Sequence, residues 1–453
     1  MAELESRLKQ QHRLRFKPNR KQGQTRDGKR SDGSEGRKRG APMGHPPWRR
    51  REPDGAEHRV LVAPPAVCPH CATEGLAATG RTHVQRQEDI VLQPRTRVTD
   101  YVHELAYCPR CQREVFQTAE GELRNCQIGP LTKAAAVYLR HEVKLSYRDV
   151  RKVFAGLFGM PFVPASAMAF SHRTAERGVN LYEDLRDKVR AAHIIHGDET
   201  HWRIDGNSAQ LWYAGNDQVA LYHADPSRGS DVAVAIFGSA FGGYLVADGY
   251  AAYNAINPKG RQACLAHLMR RAREIGERIE LMPRPKQDTV ALRFCRSIAK
   301  FMAMCCRIDQ RRRTKQVSFS AAKRHIPRLQ RVLDALCQHP SADPDAENLR
   351  QRLTDPRRDA PNLFTFLNVK GMPPTNNHAE QALRLPVIFR KISFGSRSLH
   401  GAQATATNLS LLTTAKRQNR NPVELFRNIL LHGPDVPLSM LYSPTAIPAA
   451  DSS

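Results

Sequence analysis

The stretch Ile194-Ile195-His196-Gly197-Asp198-Glu199-Thr200 decides the fold. Its apolar run reads as a buried strand that ends at Asp198. Leu211-Trp212-Tyr213-Ala214 and Val219-Ala220-Leu221-Tyr222-His223 follow as neighbouring strands. Asp231–Phe241 carries helical periodicity, and Gly243-Tyr244-Leu245-Val246-Ala247-Asp248 reads as a further strand ending at a second aspartate. Three strands, a helix and another strand predict a mixed sheet with helical cover.

Upstream, residues 129–178 read as three short helices. Gly129-Pro130 opens the first. Ser146 caps the second, with Asp149 three residues on, and Val150, Val153, Phe154 and Leu157 form its inner face. Phe158-Gly159-Met160-Pro161 is a turn, and Ser166–Arg177 is a third, basic helix. This arrangement fits a helix-turn-helix reader of DNA and equally a structural three-helix unit. Before it, Cys68-Pro69-His70-Cys71 and Cys108-Pro109-Arg110-Cys111 match the ligands of one structural four-cysteine zinc site, Cys68, Cys71, Cys108 and Cys111. Two disulfides or a redox pair are the competing readings and fit an intracellular chain less well. The other six cysteines read as plain buried thiols.

Downstream, residues 265–340 read as basic helices with Cys295, Ile298, Phe301, Met302 and Cys305 on one face. Pro340–Asp359 is a break, and the last helical region begins after Pro373-Pro374-Thr375-Asn376-Asn377, interrupted at Pro386 and Gly395. The predicted organisation is a basic disordered arm (1–66), a zinc module (67–128), a helical DNA-binding segment (129–192), a catalytic domain (193–432) with a helical insertion at about 265–360, and a frayed tail (433–453).

Charge narrows the function. The 453 residues hold 70 Lys and Arg against 44 Asp and Glu, a formal net charge of +26. Residues 1–51 contribute +11 and residues 265–331 contribute +13, so the excess is concentrated in two blocks. Blocks of this kind favour a polyanion, of which nucleic acid is the commonest. No apolar run reaches membrane-spanning length and the first residues do not resemble a secretory signal, so a soluble cytoplasmic protein is expected.

A carboxylate at the tip of a buried strand is costly unless it binds something, typically a metal. Asp198 and Asp248 on neighbouring strands would share a divalent cation, with Glu380 from a helix as third ligand and Arg384 one turn on. Glu380 also fits a capping box on Asn377, and Asp248-Gly249 also fits a simple turn.

The ordered motifs His196-Gly197-Asp198-Glu199-Thr200, Asp225-Pro226-Ser227-Arg228, Val246-Ala247-Asp248-Gly249-Tyr250-Ala251-Ala252-Tyr253, Cys264-Leu265-Ala266-His267-Leu268-Met269-Arg270-Arg271 and Asn376-Asn377-His378-Ala379-Glu380 resemble the insertion sequence 66 family of bacterial DDE transposases, as does Phe389-Arg390-Lys391 before Phe394-Gly395. The resemblance covers roughly residues 66–432. Gln381 stands where the family commonly has Arg, and Leu265 replaces an aromatic. The resemblance implies a ribonuclease H-like core in which Asp198, Asp248 and Glu380 hold two Mg²⁺, or Mn²⁺, and catalyse cleavage and transfer of DNA strands. Arg384, Arg390 and Lys391 would contact phosphate; His267 would contact phosphate, shuttle a proton or serve structurally; and, on the charge distribution, Arg311, Arg312 and Arg313 would hold DNA. Implied partners are double-stranded DNA (terminal inverted repeats and target), further protomers in a synaptic complex, and small accessory proteins of the same element. A non-catalytic zinc-containing DNA-binding relic is the alternative reading, and the complete triad argues against it.

Overall fold

A computed structural model describes residue 74, residues 96–110 and residues 112–443. The chain divides into two units, 1–91 and 92–453, and the elements that follow belong to the second. The basic arm and Cys68, Cys71 and Cys111 lie outside the described residues. Cys108 ends strand β1 (Ala106–Cys108), which pairs antiparallel with β2 (Arg113–Val115), Cys108 facing Arg113.

Four helices follow. α1 (Pro130–His141) starts where Gly129 is extended and Pro130 occupies the first turn, which needs no N–H there. α2 (Tyr147–Phe158) is capped as its sequence predicts: the Asp149 N–H donates to Ser146 Oγ at 3.1 Å, and the Ser146 hydroxyl donates to Asp149 Oδ2 at 2.6 Å. Gly159 ends it in the left-handed region at φ +59°. Val150 and Phe154 are buried as expected, whereas Leu157 is exposed. α3 (Pro164–Arg177) begins two residues before Ser166, and α4 (Val179–Arg190) extends the set beyond the three expected helices.

The five-stranded sheet has the order β5-β4-β3-β6-β7. β3 (Ile194–Ile204), β4 (Asn207–Gly215) and β5 (Ala220–Asp225) form an antiparallel meander. After α5 (Ser230–Phe237), β6 (Tyr244–Ala247) joins β3 in parallel, and β7 (Gly260–Ala263) joins β6 in parallel. Asp198 therefore does not end its strand. β3 runs six residues past it, because β4 continues to pair with it, while the parallel pairing with β6 stops at His196. Gly197 permits close cover of one face: a Cβ there would stand 3.0 Å from the Phe237 ring and 3.2 Å from that of Tyr253.

α6 (Leu265–Glu280), α7 (Thr289–Arg313), α8 (Phe319–Lys323), α9 (Ile326–Leu336), α10 (Pro344–Thr354) and α11 (Thr365–Asn368) build a separate apolar cluster after β7. Cys295, Ile298, Phe301, Met302 and Cys305 are all buried in it. α10 lies inside the segment read as a break. Asp343 accepts from the Asp345 and Ala346 N–H groups, and Pro344 sits in the first turn, so the Pro/Asp pair starts a helix there.

α12 (Asn377–Ser393) runs straight through Pro386. Proline lacks the N–H that would bond the carbonyl four residues back, and the Tyr222 hydroxyl satisfies that Ala382 carbonyl at 3.0 Å. The helix ends at Phe394 and Gly395, both at positive φ. There Ser396 pairs with the end of β3, and a Cβ on Gly395 would meet the Arg203 carbonyl at 2.4 Å. α13 (Leu399–Arg417) covers β5, with Ser410 Oγ and Thr414 Oγ1 accepting from the Tyr222 and Ala220 N–H groups. α14 (Pro422–His432) completes the core. Residues 433–443, expected to fray, are held down: Leu441 is buried and the Tyr442 carbonyl accepts from Arg420 at 2.7 Å. Among the described residues no helix is long and apolar enough to cross a membrane.

Candidate active site

The sheet register sets the first two carboxylates side by side. His196 pairs with Val246 across β3 and β6, and Asp198 and Asp248 each lie two residues further along. Each carboxylate is oriented by a backbone N–H, that of Glu199 on Asp198 Oδ1 at 2.9 Å and that of Tyr250 on Asp248 Oδ1 at 3.0 Å. Glu380 comes from the first turn of α12.

Asn376, fully buried, fixes that turn to the sheet. Its Nδ2 donates to the Gly197 carbonyl at 2.8 Å, its Oδ1 lies 2.9 Å from His196 Nδ1, and its N–H donates to Cys264 Sγ at 3.1 Å. No side chain caps the helix, so Glu380 is not part of a capping box. Its carboxylate instead faces α6. Oε1 lies 3.6 Å from both His267 Nε2 and Arg270 Nη2, and it is buried without a hydrogen-bond partner.

Asp198 feels the charge of the other two acids. Burial pushes the Asp198 carboxyl up to about 7, and the charges of Glu199, Asp248 and Glu380 add to the rise. A buried carboxylate oxygen without a hydrogen-bond partner, and an Asp198 carboxyl raised by burial and by acidic neighbours, are features that an oxygen-ligated dication would relieve. The donor set fits Mg²⁺ or Mn²⁺.

Behind the sheet, Glu199 points to the opposite face. Its side chain is 3% exposed, accepts from Arg228 Nη2 at 2.6 Å and from the Tyr253 hydroxyl at 3.0 Å. Burial raises its carboxyl, and Arg228 opposes the rise. Arg228 lies 3.9 Å over the Tyr250 ring, whose hydroxyl donates to the Arg228 carbonyl at 2.7 Å. Thus Asp225-Pro226-Ser227-Arg228 supplies the counter-charge of Glu199 and braces the turn that carries Asp248. His378 stacks on His196 at 4.7 Å, and burial and the neighbouring His196 hold its imidazole down at about 4.

A family model described as Transposase IS66 family matches residues 125–404, a span that includes Asp198, Asp248 and Glu380. The chain belongs to this family. No curated protein matches it.

In this IS66 family member the basic residues singled out by sequence have unequal surroundings. Arg384 and Lys391 are exposed. Arg390 is spent in part on the His201 carbonyl. Arg312 and Arg313 both pair with the buried Asp309, at 2.5 Å and 2.6 Å, and Arg312 also donates to the Met372 carbonyl at 3.3 Å. Only Arg311 of that triplet is exposed and outside the Asp309 pairs. In α3, Arg177 donates to the Ile429 and Leu431 carbonyls at the end of α14, a structural task. The sequence reading missed Asn376, Glu199 with Arg228, and Arg270. The cap reading fell on the neighbouring Asn377, and Glu199 was masked by its position beside Asp198. A cavity of 1390 Å³ opens elsewhere, beside Lys188, His193, Arg313 and His378. It lacks all three acids, and the carboxylate cluster is the stronger claimant to chemistry.

Proposed function

We propose that this IS66 family member cuts and joins DNA strands with Asp198, Asp248 and Glu380 on a ribonuclease H-like core. What supports the reading is the register that sets Asp198 beside Asp248, with the charge of Glu380 felt at Asp198 and a Glu380 oxygen buried without a hydrogen-bond partner. Asp198, Asp248 and Glu380 would hold two Mg²⁺ ions, which when bound stabilise charge on phosphoryl oxygens and lower the pKa of an attacking oxygen.

The protein's own groups do the rest. The Glu199 and Tyr250 N–H groups aim the two aspartates, and Asn376 holds the Glu380 turn against β3. Exposed Arg384 and Lys391, with Arg270 at the rim, supply positive charge for the phosphates of the bound strand. In the first step a water oxygen forms a bond to phosphorus as the bond to the 3′ oxygen breaks, leaving a 3′-hydroxyl. In the second that hydroxyl oxygen bonds to a target phosphorus as the bond from that phosphorus to the target 3′ oxygen breaks; the attacking group's proton passes to solvent and the leaving 3′ oxygen takes one up. Partners are the element's terminal repeats, target DNA and further protomers. The four-cysteine module would hold one structural Zn²⁺.

Asp198→Asn, Asp248→Asn and Glu380→Gln test the reading on duplexes carrying the terminal repeats. Each should abolish Mg²⁺-dependent nicking while leaving duplex affinity within about twofold of the parent, since no phosphate contact is removed. Undiminished nicking by all three sinks the proposal.

A further inference from the structure

Cys264, His267 and Glu380 present a sulfur, a ring nitrogen and a carboxylate oxygen that all lie within 4.8 Å of one another. The sequence arranges two of them: Cys264 is the residue before α6 and His267 lies three positions on, so both face one side of the first turn. Glu380 arrives from α12, and the Asn376 N–H on Cys264 Sγ fixes the two helix starts against each other. Two polar atoms of these side chains lack a hydrogen-bond partner. His267 Nδ1 and Glu380 Oε1 are both buried without a hydrogen-bond partner.

We propose that these three residues form a second cation site, selective for a soft divalent ion of the zinc class, that shares Glu380 with the three-carboxylate site. Oxygen-only ligands favour hard cations, whereas a thiolate and an imidazole beside one carboxylate favour zinc. Three protein ligands leave a fourth tetrahedral position for water. Arg270, whose side chain is 54% exposed, stands near the shared oxygen and swings to solvent when a dication enters. The thiol proton leaves to solvent on binding. Because Glu380 cannot serve both sites with the same oxygen, a zinc-class ion antagonises the hard cation that catalysis would use.

The binding claim stands independently of the proposed chemistry, and the antagonism rests on it. Cobalt(II) is the probe, titrated into the full chain, Cys264→Ser and His267→Asn. Serine keeps an acceptor for the Asn376 N–H, and circular dichroism checks that each variant folds. The N-terminal cysteines are common to all three proteins, so the site appears as a difference: one extra equivalent of cobalt in the parent and a stronger thiolate-to-cobalt absorption. Affinity for that equivalent should fall by more than the roughly 100-fold that loss of an outer-shell partner produces. Identical cobalt stoichiometry and absorption in all three proteins overturn the proposal. In a second arm, one equivalent of zinc is added to Mg²⁺-dependent nicking, and the ratio with and without zinc should fall in the parent and stay near one in Cys264→Ser. A cobalt difference with zinc-resistant nicking by the parent overturns the sharing of Glu380. A cobalt difference with no nicking by the parent under any cation supports the site and removes the transposase chemistry instead.

Discussion

Asn376→Ala removes the clasp between α12 and β3 and exposes the cost of building the site. Asn376 is 0% exposed, so no water replaces its amide. Its loss leaves the Gly197 carbonyl without the 2.8 Å donor and His196 Nδ1 without its 2.9 Å partner, both in the interior. An unsatisfied buried polar group costs about 1–3 kcal/mol, and the deleted amide leaves a small void. The two groups together predict a destabilisation of roughly 2–5 kcal/mol. Urea denaturation measures it through the shift in midpoint at constant slope. Asn376→Asp is the finer probe, because it keeps the acceptor for His196, loses the donor to Gly197 and adds negative charge near Asp198. It should be at least as destabilised as the alanine variant, because it buries an unpaired charge against the Gly197 carbonyl, and the deficit should shrink at low pH as the carboxyl protonates. A change below about 0.5 kcal/mol for the alanine variant, the scale of an ordinary surface substitution, would refute the clasp.

Other perturbations test neighbouring parts. Tyr222→Phe should cost about 1–2 kcal/mol by orphaning the Ala382 carbonyl, and a double-mutant cycle with Pro386→Ala should recover part of that loss because alanine restores a helical N–H to this acceptor. Arg228→Ala strands the buried Glu199 charge, and with half of the guanidinium in solvent the loss should be about 1–3 kcal/mol by chemical denaturation. Arg312→Ala should destabilise by a similar amount, about 1–3 kcal/mol, whereas Arg311→Ala should leave stability alone and lower the salt dependence of DNA binding by about one phosphate contact. The raised Asp198 carboxyl fixes a pH trend for the cation-free protein. The folded state binds a proton that the unfolded state has released between about pH 4, the ordinary carboxyl range, and about 7, so stability falls as pH rises through that window. Asp198→Asn should flatten the slope by one proton in urea titrations at several pH values.

The positions of the three acids were legible because each sits beside a strong local signal: an apolar strand before Asp198 and Asp248, and a helix start before Glu380. What the signals lacked was the third dimension. β7 escaped notice because Gly260-Arg261-Gln262-Ala263 has no apolar alternation; its burial depends on Gln262, whose amide bonds the Leu363 carbonyl at 3.2 Å and the Phe366 N–H at 2.8 Å far along the chain. Pro386 reads as an interruption until Tyr222 on a distant strand is seen to satisfy the freed carbonyl. The sequence suggests Asn377 as a cap, yet the helix begins at that residue and it is Asn376 whose amide tertiary packing spends on β3. The Arg311-Arg312-Arg313 run reads as one charged face, although Asp309, one turn earlier, claims two of the three. Local patterns thus located β3 to β6 and the helix that carries Glu380, while long-range hydrogen bonds decided which polar residues were free.

The central claim is that three carboxylates make one centre for DNA strand joining. A pre-nicked duplex with a labelled terminal repeat ending in a 3′-hydroxyl, incubated with supercoiled target DNA and Mg²⁺, isolates the joining step. The parent should yield labelled target that disappears when EDTA replaces Mg²⁺, and Asp248→Asn and Glu380→Gln should yield none while still retaining the repeat in a filter-binding measurement. Joining by either variant at the parental rate would contradict the account.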